Sequence, residues 1–238
     1  MTNDPKDPLA GLDPFDLLDA EAERLDRYFQ GLGAEDWDRP SRAAGWSVRD
    51  VLGHLAGEEL YNHACLDDDI DGFTATLRRE GVDGGFDGFN EWCVEQRRGV
   101  PVEDVLQEWR RENGDTRERM RALGHEAPLQ TFAGPYPAGL QTFHYASEYA
   151  THADDVGAPV TEDEAEERAW WRARVGAFVL AEQDSKAQVE LTADGVWVHA
   201  YGTSELLPAP VFVEATVGRL PDDHPLDRRL RAALRCLA

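Results

Sequence analysis

Apolar positions recur at spacings of three and four through most of the chain. Phe15, Leu18, Ala22, Leu25, Phe29 and Leu32 form one stripe, opened by Asp13 as N-cap and Pro14 as first helical residue. Gly31 and Gly33 close it. A second helix is predicted after Ser47, with Asp50 three residues on as a capping box and Trp46 and Val51 as a staple. Val48, Leu52, Leu55 and Ala56 line its inner face, and His54 lies at the edge of that face. Residues 67–90, rich in Asp and Gly, read as a loop-rich excursion with a short helix near Phe73–Arg79. A short helix over Phe89–Arg97 precedes a third long helix from about Pro101 to Leu123. Gly134-Pro135-Tyr136-Pro137 reads as loop, and a fourth helix runs from about Ala138 to Asp154. Four helices with long connections predict a bundle.

The pattern changes after Pro159. Thr161 and Glu164 make another capping box, opening a helix to about Leu180. Gln188–Thr192 and Val196–Tyr201 alternate apolar and polar residues around Asp194-Gly195, a hairpin signal. Pro210–Leu220 leans to helix, and Pro225–Leu237 reads as a last helix. The expected fold is mainly α: a helical bundle over residues 1–158, then a small mixed α/β domain over residues 159–238.

Composition narrows the functional classes. With 238 residues and 42% hydrophobic positions, a sizeable core is available. A formal net charge of −23 disfavours nucleic acid and anionic membranes as partners. Lysine occurs only at Lys6 and Lys186. Cys65, Cys93 and Cys236 form no CxxC pair, which argues against a disulfide scaffold and for a reducing compartment. No apolar run reaches membrane-span length, and the polar, acidic start is unlike a signal peptide. The expectation is a cytoplasmic protein, monomer or dimer.

Three residues carry candidate chemistry. Glu148 and His152 lie four apart on a predicted helix and share a face. His54 must come from another helix. Two imidazoles and a carboxylate suit a divalent metal such as zinc and leave a fourth position for catalysis. His144, one turn before Glu148, is a substitute ligand or a substrate or cofactor contact. Asp155 could orient His152 from behind, as could Asp50 for His54. Taken singly, an i, i+4 Glu–His pair is more often a solvated helical pair, and a lone histidine more often a buried core residue. His63 lies on the opposite side of its helix from His54. Cys65 and Cys93 read as small buried apolar side chains, Trp37, Trp46, Trp92 and Trp109 as core, and Asp67-Asp68-Asp69 as a solvated turn.

The wider pattern adds to these spacings. Trp37 to Ser41, Gly45-Trp46-Ser47-Val48-Arg49-Asp50-Val51-Leu52-Gly53-His54-Leu55, Phe89 to Gly99, and Glu148 to Asp155 resemble the mycothiol-dependent maleylpyruvate isomerase family of the DinB-like superfamily. The resemblance covers most of residues 12–160 and, more loosely, the C-terminal part. It implies a DinB-like four-helix bundle and a divalent metal, usually zinc, held by His54, Glu148 and His152. It also implies a small C-terminal domain distantly like a sterol carrier protein. Mycothiol or a similar thiol would be the cofactor, in isomerisation or S-transfer on a small electrophile. An arginine of the C-terminal domain reaches the active site in the isomerase, and Arg219 is its nearest match, in a poorly fitting motif. Two rival readings stand beside this one. One is a metal-dependent hydrolase with Glu58 or Asp155 as general base. The other is a non-catalytic, metal-stabilised ligand-binding module.

Overall fold

The computed structural model describes residues 7–237, which contain nine α-helices and two small antiparallel sheets. The chain divides into two compact units, residues 14–158 and residues 159–237, and residues 7–13 group with the second.

The first unit is built on α1 (Pro14–Gln30), α2 (Val48–Leu66), α5 (Val102–Leu123) and α6 (Ala138–Val156). α1 packs against α6, and α2 against α5. The stripe Phe15, Leu18, Ala22, Leu25 and Phe29 is buried, as the spacing requires. The start of α2 is fixed by a reciprocal cap. Ser47 Oγ accepts from the Asp50 amide at 3.2 Å, and the Asp50 carboxylate accepts from the Ser47 amide at 2.9 Å. That cap, with an ion pair to Arg98 at 3.0 Å, occupies Asp50 fully. Asp50 therefore does not orient His54, contrary to one expectation from spacing.

Two segments differ from the sequence reading. Residues 67–90 carry α3 (Ile70–Arg79) and the start of α4 (Gly85–Arg98), not mainly loop. Asp69 caps α3 by accepting from the Gly72 amide at 3.1 Å. Phe73 and Phe89 are buried against Tyr61, Cys65 and Cys93, and this small apolar core makes the acidic, glycine-rich stretch helical. α4 lies close along α2 because Gly57 lacks a side chain: a Cβ there would stand 2.3 Å from Cys93 Cβ. Residues 128–137 form a hairpin of β1 (Pro128–Thr131) and β2 (Gly134–Pro137), not a loop. Its prolines are tolerated because the ribbon has only two strands, so each strand keeps a free edge. Phe132 at its tip stacks on Tyr61 with ring centroids 5.2 Å apart.

The second unit contains α7 (Glu162–Glu182), then β3 (Gln188–Thr192), β4 (Gly195–Ala200) and β5 (Thr203–Leu207) in one antiparallel sheet of order β3-β4-β5, followed by α8 (Ala209–Thr216) and α9 (Arg228–Leu234). β5 is a strand the alternation did not single out. Gly195 turns the first hairpin at φ +146°, and a Cβ there would lie 2.6 Å from the Leu207 carbonyl oxygen. Val196, Val198, Leu207, Phe212, Leu230 and Leu234 form the core of this unit. No helix among the described residues is long and apolar enough to cross a membrane.

Candidate metal centre

α2 and α6 supply the three converging side chains. His54 stands on α2, and Glu148 and His152 stand one turn apart on α6. His54 Nε2 is 3.1 Å from Glu148 Oε1, and His152 Nε2 is 4.0 Å from the same oxygen. One ligand atom from each of the three residues lies within 4.8 Å of the others. The two imidazoles are edge to face, with ring centroids 4.8 Å apart. Both histidines are buried, while the Glu148 side chain is 37% exposed and forms the open side of the cluster.

Burial lowers the His54 pKa, with the His152 charge adding to the effect; the bond to Glu148 opposes it. His54 is therefore neutral near pH 7, with a lone pair to offer. Burial alone would raise the Glu148 pKa, but the His54 bond and the charges of His54 and His152 outweigh it and hold the carboxyl at about 2. Glu58, one turn beyond His54 on α2, is buried with Oε2 3.7 Å from His54 Nε2. Burial and the neighbouring Glu148 and Glu59 push its carboxyl well above the usual range.

The polar atoms here fit a cation. His54 Nδ1, His152 Nδ1 and Glu58 Oε1 are buried without a hydrogen-bond partner. Asp155 Oδ2 lies 3.2 Å from His152 Nδ1, close enough for an ion pair but off the line of a hydrogen bond. That is where a carboxylate sits behind a metal-binding imidazole. Two imidazole nitrogens and one carboxylate make a donor set for a borderline divalent ion.

Other expected residues fall elsewhere. His144 lies one turn before Glu148 with Nε2 3.4 Å from the Tyr136 hydroxyl of β2, and it is not among the three converging donors. His63 faces α5, near Glu112 and Asp115 at 3.6 and 3.5 Å. Arg219 belongs to the second unit, just after α8, where its amide donates to the Glu214 carbonyl and its guanidinium to the Val217 carbonyl. Trp46 read as core and staple from the sequence. The structure instead sets its ring 5.0 Å from the His54 ring and 6.3 Å from the His152 ring. Its indole N–H donates to Glu91 of α4 at 3.1 Å. The signal that would have found it is its place in the turn leading into α2, two turns ahead of His54.

Two crystal structures of mycothiol-dependent maleylpyruvate isomerase, one of them a mutant, superpose with TM-scores of 0.64 and 0.63. They are 15% and 14% identical and cover 88% of this chain and 89% of theirs, a likeness of fold. Two uncharacterized proteins of Mycobacterium tuberculosis are each 25% identical over 139 residues. Those residues are 58% of this chain and 53% of theirs, so the chain spans about half the length of these relatives. The family model described as the mycothiol maleylpyruvate isomerase N-terminal domain matches residues 18–157, which include α2, α6 and all three converging side chains. The chain belongs to the mycothiol maleylpyruvate isomerase N-terminal domain family.

Proposed function

We propose that this protein is a metal-dependent enzyme that uses a low-molecular-weight thiol, of the mycothiol type, to transfer to or isomerise a small electrophile. The observation carrying this reading is the convergence of one ligand atom from each of His54, Glu148 and His152 within 4.8 Å on two helices. Family membership supplies the thiol. His54, Glu148 and His152 would hold the ion, zinc by preference. When bound, a divalent ion supplies a positive centre that keeps a coordinated thiol deprotonated and nucleophilic.

The chain's own residues do the rest. The two buried imidazoles exclude water from the inner side, and Glu148 leaves its outer side open to an incoming thiol. Asp155, 3.2 Å behind His152 Nδ1, would orient the ring once the ion is held. Trp46 walls the cluster beside both imidazoles. Three donors of total charge −1 around a divalent ion leave an excess of +1, which favours an anionic fourth partner. In this reading His144, one turn before Glu148 on α6, would contact the thiol or substrate.

The test combines zinc-loaded protein, mycothiol and a thiol-trapping electrophile such as monochlorobimane. Consumption is expected only with protein and thiol together, and should disappear in His54→Ala. Full metal content with no thiol-dependent turnover counts against the reading. A hydrolytic alternative rests on Glu58, buried beside the donors with one unpartnered oxygen. It requires turnover of an ester or amide with no thiol added.

A further inference from the structure

A second set of polar side chains is buried beside the three donors. Glu59 is 1% exposed. Its Oε1 accepts from Asn113 Nδ2 and the Tyr149 hydroxyl, both at 2.9 Å. Its Oε2 accepts from Asn62 Nδ2 at 2.9 Å and Thr116 Oγ1 at 2.6 Å. The Tyr149 hydroxyl in turn accepts from Trp109 Nε1 at 3.0 Å and Asn113 Nδ2 at 2.7 Å. Asn113 Oδ1 accepts from Arg117 Nε at 2.8 Å, and Arg117 is ion-paired with Asp19 of α1. The set therefore reaches all four bundle helices.

A buried carboxylate is costly unless its oxygens are satisfied, and four donors satisfy this one. Well-packed apolar side chains of the same volume often serve stability equally well. What directional bonds add is a fixed register between helices. The location shows what that register serves. Glu59 is five residues after His54 on α2, and Tyr149 directly follows Glu148 on α6. The same two helices are thus tied by Glu59–Tyr149 at 2.9 Å and by His54–Glu148 at 3.1 Å. A slip of one residue would shift α6 by about 1.5 Å along its axis and turn it by about 100°, removing Glu148 from His54.

We propose that Glu59 and Tyr149 are positioning residues of the metal centre, setting the register of α6 against α2 that brings Glu148 and His152 to His54. The inference rests on the reading of those three residues as metal-holding. Neither Glu59 nor Tyr149 touches the ion in this scheme.

The experiment compares Tyr149→Phe and Glu59→Gln with Val105→Ala, a cavity control in the buried face of α5. Three quantities are measured: the zinc dissociation constant by chelator competition, the visible spectrum of the cobalt-substituted protein, and the imidazole nitrogen signals of the zinc-free protein. Thermal midpoints rank the structural damage. Both network variants should weaken zinc binding by about tenfold or more and shift the cobalt bands. The control should change neither at an equal loss of midpoint. Equal weakening in the control overturns the proposal, as do unchanged zinc affinity and cobalt bands in both network variants. Should wild-type protein take no zinc, the metal reading fails by itself. The register claim is then decided by the His54 nitrogen signals, which must shift in the network variants and not in the control; no shift overturns it. If Glu59→Gln does not fold, Tyr149→Phe carries the test, because it keeps the ring stacked beside Trp109.

Discussion

His54 Nε2 and Glu148 Oε1 stand 3.1 Å apart although 94 residues separate them in the chain. Such a contact is placed by the packing of α2 on α6, so its two ends should fail together. Wild-type protein is expected to hold one equivalent of zinc after dialysis. His54→Ala and His152→Ala should each abolish stoichiometric binding, and Asp155→Asn should weaken it about 10–100-fold by loosening the His152 ring. Elemental analysis reads the first effect and chelator competition the second. Full zinc in His152→Ala would remove that residue from the donor set.

Acid should destabilise the metal-free protein, and the sign follows from two groups. Burial holds the folded His54 pKa below its ordinary value, so on acidification the unfolded chain takes a proton that the folded one refuses. Stability therefore falls as pH drops through about 6.5, the ordinary histidine value. Glu148, held at about 2, adds stability that is fully present above the ordinary carboxylate range and is lost as pH falls toward 2. Both effects have the same direction. Urea unfolding after chelation should show a lower midpoint at pH 5 than at pH 7.5. His54→Gln should flatten that difference; an undiminished difference would assign it to another group.

The protein's own thiols should be inert, leaving an added thiol as the nucleophile. Burial pushes Cys65 up to about 11 and both Cys93 and Cys236 up to about 12. At pH 8 roughly one Cys65 in a thousand is thiolate, and fewer of the others. A disulfide reagent should label none of the three rapidly in native protein and all three in urea. A fast native thiol would contradict this burial and reopen a protein-based nucleophile.

Gly57 sets how closely α4 can approach α2. A methyl group there meets Cys93 Cβ at 2.3 Å and Sγ at 2.6 Å, and Cys93 is itself fully buried. Gly57→Ala should therefore destabilise the protein by about 1–3 kcal/mol despite the better helix propensity of alanine. Denaturant midpoints at constant slope would show it. A stabilised variant would mean that α4 moves away at no cost.

The long helices were legible because Phe15 to Phe29 and Val48 to Ala56 repeat at helical spacing and because Ser47 with Asp50 marks a start. Glu148 and His152 share a face by spacing alone. Their meeting with His54 was not in the spacing; it came from a resemblance, and the packing of α2 on α6 supplies its geometry. The hairpin at 128–137 was hidden by its prolines, whereas the short helix expected near Phe73–Arg79 is the greater part of α3, which starts at Ile70. For the hairpin, tertiary contact of Phe132 with Tyr61 fixes the tip, and no local signal carries it. The Glu59 network was invisible for the same reason. Its partners Asn113, Thr116 and Tyr149 lie on two other helices, and each alone reads as an ordinary helical residue.

Trp46 offers a direct optical reading of the centre. Its ring lies 5.0 Å from the His54 ring and 6.3 Å from the His152 ring, and Glu91 holds the indole by its N–H. A paramagnetic ion bound between those imidazoles would sit within quenching range of this indole. Cobalt should therefore quench part of the emission of the seven tryptophans, with a midpoint matching the affinity found by competition. In Trp46→Phe the quench should shrink sharply while cobalt still binds with one equivalent. Quenching that survives in Trp46→Phe at full strength would locate the ion near another tryptophan, and so away from His54 and His152.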